Sequence, residues 1–155
     1  GLNMAPVTIR PIERADKAAW LQLWQAYLAF YEQSLADEVT DGLFERLLSD
    51  GFHDGLVAEQ DGKLVGFVHF LEHASTWSLT PTCYLEDLYV DNAQRGGGVG
   101  RKLIEAVYAA AEQSGCSNVY WHTHDHNTVA RQLYDRVGIL SNFVRYEKRK
   151  WEDSV

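Results

Sequence analysis

The sequence predicts one α/β domain built on a mixed, mostly antiparallel sheet with helices against it. Three observations carry that expectation. Two strand-like runs, Gly55–Gln60 and Lys63–His73, are joined by Asp61-Gly62, a dipeptide suited to a two-residue hairpin turn. A third run, Cys83-Tyr84-Leu85-Glu86-Asp87-Leu88-Tyr89-Val90, leads through a glycine-rich turn into a helix-period segment, Val99–Gln113. Near the N-terminus Trp20, Trp24, Tyr27, Leu28 and Tyr31 recur close to every 3.6 residues, the mark of a helix with one apolar face.

Taken in order, Val7–Arg10 is a short first strand ended by Pro11. Asp16 is placed to cap the first helix, and Thr40 to cap a second over Asp41–Leu48. The hairpin strands follow, then a break at Thr80-Pro81-Thr82 and the Cys83–Val90 strand. Ser114-Gly115 ends the helix that begins at Val99. Asn118–His122 reads as a fifth strand, Asn127–Val137 as a fourth helix and Phe143–Lys150 as a last strand or pair of strands. The expected order is β-α-α-β-β-β-α-β-α-β-β. No repeat, low-complexity tract or linker interrupts it, so residues 1–155 read as a single domain; Gly1-Leu2-Asn3 ahead of Met4 reads as a cloning remnant.

Composition narrows the functional classes. The chain has 155 residues, 46% of them hydrophobic, enough for one adequate core without staples. Its formal net charge of -8 argues against a nucleic-acid surface and suits a cationic ligand. No apolar run is long enough for a membrane span, and no charged-then-apolar leader is seen. The two cysteines, Cys83 and Cys116, form no C-x-x-C, which fits a reduced, cytoplasmic protein. His122, His124 and His126 alternate at the end of a strand, but no further ligand cluster supports zinc, and hydrogen bonding within the loop is the better reading.

The glycine-rich turn is Gln94-Arg95-Gly96-Gly97-Gly98-Val99-Gly100-Arg101. A strand, a turn that lets the backbone approach a ligand and a helix N-terminus together make a site for phosphate or pyrophosphate. The dinucleotide fingerprint G-x-G-x-x-G is broken at Arg101. A P-loop would need a hydroxyl residue where Leu103 follows Lys102. What remains is [QR]-x-x-G-x-[GA], carried by Arg95, Gly98 and Gly100. Downstream, Asn127, Ala130, Tyr134 and Gly138 form N-x-x-A-x-x-x-Y-x-x-x-G. These two motifs, in this order and spacing, resemble the coenzyme A loop and the second signature of the GCN5-related N-acetyltransferases, the GNAT superfamily. The resemblance covers roughly Leu56 to Lys148 and is strongest to the branch of spermidine/spermine, thialysine and yeast histone- and polyamine-acetylating enzymes, through Tyr84-Leu85-Glu86-Asp87-Leu88-Tyr89-Val90. Ile139 departs from the usual Phe after the glycine but stays apolar.

The resemblance implies the acyl-CoA N-acyltransferase fold, acetyl-CoA as donor, no metal, a homodimer often joined through the last strands, and direct attack of a primary amine on the thioester. A small polyamine, diamine or lysine-like acceptor fits better than protein lysines, since no basic groove or tail-binding insertion is evident. A catalytically silent acyl-CoA sensor is the reading from another class, and intact Glu86 and Tyr134 speak against it. For the coenzyme, Arg95, Gly96, Gly97, Gly98, Val99, Gly100 and Arg101 would bind the pyrophosphate, and Leu88, Tyr89 and Val90 would pair with the pantetheine arm and polarise the carbonyl. Asn127 would cap its helix or bond the pantetheine amide. Tyr134 is the candidate acid: a phenol at about 10 is close enough to a thiol at about 8.5 to protonate a departing thiolate. Glu86 is the candidate base, direct or through water, with Asp87 as a partner for substrate charge or a structural anchor. Strand alternation sends Glu86 and Asp87 to opposite faces. Trp24, Tyr27, Tyr31 and Glu32 are candidates for an acceptor pocket by cation–π and charge attraction, though the three aromatics serve equally as the core stripe of the first helix.

Overall fold

A computed structural model describes residues 5–94 and 97–149. The chain divides into two compact units, Gly1–His122 and Thr123–Val155, each described by itself. The first holds β1 (Thr8–Pro11), α1 (Lys17–Phe30), α2 (Asp37–Leu47), β2 (Asp54–Gln60), β3 (Lys63–His73), β4 (Thr82–Val90), α3 (Val99–Gln113) and β5 (Val119–Tyr120). The second holds α4 (Thr128–Val137). The strands run in the order β1-β2-β3-β4-β5; the first four are antiparallel and β5 lies parallel to β4, after the crossover through α3.

The sheet is sandwiched in the first unit. Trp20, Leu23, Trp24 and Leu28 of α1 and Leu43, Phe44 and Leu47 of α2 pack with Val57, Phe67 and Tyr89 of the strands. Trp20 stacks on Trp24 at 5.8 Å and Trp24 on Tyr27 at 5.5 Å, so the stripe read from the sequence is the core stripe. α3 contributes its own buried row, Val99, Leu103, Ile104, Val107 and Ala111, and lies against β3 and β4. At Gly66 of β3 an added Cβ would stand 2.8 Å from the Tyr89 carbonyl oxygen and 3.2 Å from Leu103 Cδ1. Hydrogen there is what lets α3 sit this close.

Some element bounds differ from expectation, each for a local reason. α2 begins at Asp37 instead of Asp41, with Asp37 and Glu38 in the first turn, where carboxylates face the positive end of the helix. Thr40 is then no cap. It is buried inside the helix, and its hydroxyl accepts the Trp24 indole N–H at 3.2 Å. Asp16 sits at the N-cap of α1 but makes no cap bond. Its carboxylate takes a bidentate grip from Arg10 at 2.8 and 2.9 Å and the Glu13 N–H at 2.7 Å. β5 has two residues where five were expected.

The expected last strand is not formed. Residues 143–149 carry no regular structure, and Phe143, Val144 and Tyr146 are exposed. A strand exists by its ladder, and among the described residues of the second unit no other strand is present to pair with it. Lys150 lies outside the described residues.

Candidate active site

Three elements of the first unit bring the candidate residues together: α1, the middle of β4 and the start of α3. In β4, Leu85 pairs with Phe70 and Asp87 with His69, so Glu86 is the extra residue of a β-bulge. Its effect on direction is visible in the register. Tyr84 stands opposite Leu71 and Asp87 opposite His69. Residues 69 and 71 share a face of β3, so Tyr84 and Asp87 share one too, although three positions apart. The bulge therefore interrupts the alternation by which Glu86 and Asp87 were expected to take opposite faces.

Each carboxylate has its own imidazole. Asp87 Oδ2 lies 3.0 Å from His69 Nδ1, and Asp87 Oδ1 accepts the Tyr27 hydroxyl at 2.8 Å. His69 is buried, and its Nε2 lies 3.1 Å from the Trp20 indole nitrogen. An indole N–H only donates, so His69 Nε2 accepts, the ring hydrogen sits on Nδ1, and Nδ1 donates to Asp87. Trp20 thus donates to His69 and His69 to Asp87, while Tyr27 donates to the other carboxylate oxygen, so two donors converge on Asp87. Glu86 is more open: its side chain is 42% exposed, and Oε1 lies 2.7 Å from Nε2 of His53, itself 23% exposed. His53 stands just ahead of β2 and His69 inside β3. Sequence reading passed over both, because neither belongs to a motif and each meets its carboxylate only through strand pairing.

The other α1 candidates separate. Trp24 is a core side chain, Tyr27 holds Asp87, and Tyr31 is half-buried with its hydroxyl titration raised by burial and then by the charge of Asp87. Glu32 is exposed and sits at φ 55° just beyond α1, where Gln33 N–H bonds the Leu28 carbonyl and Glu32 N–H that of Ala29. That is the helix-terminating pattern that favours glycine.

At the coenzyme A loop, Gly98 adopts φ +82° as the N-cap of α3, and the first intrahelical bond runs from Lys102 N–H to the Gly98 carbonyl at 3.0 Å. The N–H groups of Val99, Gly100 and Arg101 precede any intrahelical acceptor, as at every helix start. Arg101 also bonds Glu105 at 2.8 Å. Arg95 and Gly96 lie outside the described residues. Leu88, Tyr89 and Val90 pair with Val68, Phe67 and Gly66 of β3. On the other side of β4, β5 pairs only with Cys83 and Tyr84, so the β4–β5 ladder stops after two residues.

In the second unit Asn127 caps α4, its side chain accepting the Ala130 N–H at 3.4 Å. Tyr134 is half-buried, one turn past Ala130 on the same helix. The rings of His124 and His126 stack at 5.4 Å, and in the first unit Tyr84 and His122 are hydrogen-bonded at 3.3 Å. Neither thiol is poised as a nucleophile. Burial pushes Cys83 up to about 12; burial and then the hydrogen bond to Glu72 push Cys116 up to about 11.

Comparison with known proteins identifies the family. The model of the acetyltransferase (GNAT) family matches residues 18–139. The D-amino-acid N-acetyltransferase HPA3 of Saccharomyces cerevisiae is 35% identical over 145 residues, covering 92% of this chain and 90% of the yeast protein. The thialysine N-epsilon-acetyltransferase of Sus scrofa is 35% identical over 148 residues, covering 87% of this chain and 85% of its own. Among solved structures, the aminoglycoside N-acetyltransferase AAC(6')-Iy in complex with CoA superposes with a TM-score of 0.83 at 20% identity, over 96% of this chain and 97% of that one, a likeness of fold. The family model spans most of the chain and both relatives match along nearly all of it: this chain belongs to the GNAT family and is an N-acetyltransferase.

Proposed function

We propose that the chain transfers acetyl from acetyl-CoA to the primary amine of a small, lysine-like or other cationic molecule. The observation that carries the reading is the bulge, which sets Glu86 beside Asp87 and gives each carboxylate a separate imidazole. One acid is fixed by two donors and the other is open, which suits one group that holds a positive charge and one that moves a proton. The names of the relatives point the same way: a D-amino acid and thialysine are small molecules with a primary amine.

The α3 start fits a coenzyme pyrophosphate. A left-handed glycine opens a fifteen-residue helix, and N–H groups of Gly98, Val99, Gly100 and Arg101 supply donors at its positive end. Arg95, Gly96 and Gly97 complete that loop in the family pattern. The coenzyme supplies an acetyl thioester. Beyond the two-residue β5 ladder, β4 lends itself to pairing with an extended arm, as strand edges do. A backbone N–H near Leu88 would then face the thioester carbonyl, where donors act most strongly. Asp87 anchors the substrate's charge, steadied by His69 and Tyr27. Glu86 takes the amine proton: an alkylammonium titrates at about 10.4, so the attacking amine needs a base. In the family pattern Tyr134 is the acid for the departing thiolate. With both thiols pushed well above neutrality, direct transfer is preferred to a cysteinyl intermediate.

The test is thiol release from acetyl-CoA over putrescine, spermidine, lysine, thialysine, a D-amino acid and a lysine-rich peptide. We expect turnover with a lysine-like or diamine substrate and a fall in kcat of about tenfold or more for Glu86→Gln and for Tyr134→Phe, within the range of general acid–base catalysis. Turnover of the peptide alone moves the acceptor to protein lysines. Coenzyme binding with no turnover makes the domain a sensor.

A further inference from the structure

We propose that His53 is the terminal acceptor of the amine proton: the proton leaving the substrate nitrogen passes to Glu86 and from there to Nε2 of His53, whose partly exposed ring returns it to water. The inference rests on the reading of Glu86 as base and adds the partner that makes that base effective.

The geometry sets the pair apart from its neighbour. His69 has both ring nitrogens engaged, Nε2 by Trp20 and Nδ1 by Asp87, and the ring is 1% exposed. It steadies Asp87 and has no route to pass a proton on. His53 meets Glu86 at 2.7 Å, well within hydrogen-bond reach, and keeps 23% of its side chain in contact with solvent. Only the second pair joins the candidate base to water.

Magnitudes favour the relay. A free carboxyl titrates at about 4.3, a free imidazole at about 6.5 and an alkylammonium at about 10.4. Handing the amine proton to a lone carboxylate is a climb of about six pH units; ending it on an imidazole reduces the climb to about four. The surroundings are acidic as well. Asp54 beside His53 is raised by burial and then by Glu72 and Asp50, and lowered by His53. Glu86 itself, at 2.7 Å, supplies the counter-charge for an imidazolium at position 53.

The step balances. One N–H bond of the ammonium breaks and an O–H bond forms on Glu86. That O–H bond breaks as an N–H bond forms on His53 Nε2, leaving an imidazolium paired with a restored carboxylate. While Glu86 is a carboxylate, the 2.7 Å contact is a hydrogen bond donated by Nε2–H; the transfer uses the other neutral tautomer, reached by exchange with water at the exposed ring, in which Nε2 takes the hydrogen of the newly formed Glu86 O–H. Loss of one proton to water resets the ring.

The decisive variant is His53→Gln, whose amide N–H can still bond Glu86 but whose side chain takes no proton. In single-turnover acetylation of the best amine from the panel, we expect a rate at least tenfold below wild type. Acetyl-CoA affinity by calorimetry should be unchanged, and free imidazole should restore rate in proportion to its concentration. A variant as fast as wild type shows that His53 only orients Glu86 and overturns the proposal, as does a slow variant that imidazole leaves slow. Glu86→Gln separates the two readings. If it is slow while His53→Gln is normal, the base stands and the relay fails. If Glu86→Gln itself is normal, the base reading fails and the relay fails with it.

Discussion

Asp16 shows how a single carboxylate is committed to structure instead of chemistry. Its side chain is 10% exposed and receives two hydrogen bonds from Arg10 and one from the Glu13 backbone. The Arg10 hydrogen bonds come first among the causes that hold its titration below the ordinary carboxylate range. A lowered folded-state value means that the stabilisation is present above about pH 4, where an unfolded Asp is charged, and is lost as pH falls through the folded value. Asp16→Asn should cost about 2 kcal/mol at neutral pH, the scale of hydrogen bonds to a charged group. In urea melts the gap between variant and wild type should narrow as the pH falls below the ordinary carboxylate range. Identity of the residues at this scale was easy to read and their partners were not. Asp16 looked like a helix cap and Thr40 like another; one serves Arg10 and the other serves Trp24. Polar side chains near a helix start have several donors within reach, and only packing decides among them.

At the scale of elements, the strand–loop–helix unit from β4 to α3 was legible almost residue for residue, because glycines, periodicity and turn chemistry agreed. The bulge at Glu86 was not. A bulge adds a residue without changing the hydrophobic pattern enough to notice, and it is defined by the partner strand. The bulge falls at the two acids that matter most, where simple alternation no longer sets direction. Gly66 is the complementary case, a glycine whose purpose only the assembled layers reveal. Gly66→Ala should destabilise the fold by about 1 to 3 kcal/mol, as overpacked cores do, because backbone at Tyr89 cannot yield and Leu103 of α3 must. Denaturant unfolding of the variant checks the loss. A shift of α3 away from the sheet should also weaken coenzyme binding, while a neighbouring exposed change such as Glu112→Gln should alter neither.

For the whole molecule, the formal charge of -8 is the property most directly tied to the acceptor. A negative protein draws in a cationic amine and loses that advantage as salt screens it. We expect kcat/KM for a diamine or lysine-like substrate to fall by about tenfold from low to high ionic strength, within the known range of electrostatic steering. A neutral amine should show much less change; steady-state rates over a salt series decide it. The domain class, the order of the first nine elements and the family were all readable from the chain. The last strand was not, although its pattern was there: Phe143, Val144 and Tyr146 have strand-like spacing, but spacing cannot supply a partner. A second copy of the chain is one source of such a partner, in keeping with the dimer that the family resemblance implies.

The raised thiols have a practical outcome. Burial keeps Cys83 and Cys116 in the thiol form at neutral pH, and it is the thiolate that reacts with disulfide dyes and alkylating agents. The chain has no other cysteine. In a reaction mixture the protein is therefore chemically quiet, and the sulfur that colours a thiol-reactive dye is the one set free by acetyl transfer. We expect turnover to be insensitive to alkylating reagents that silence acyltransferases working through a cysteine, which steady-state rates after iodoacetamide treatment check.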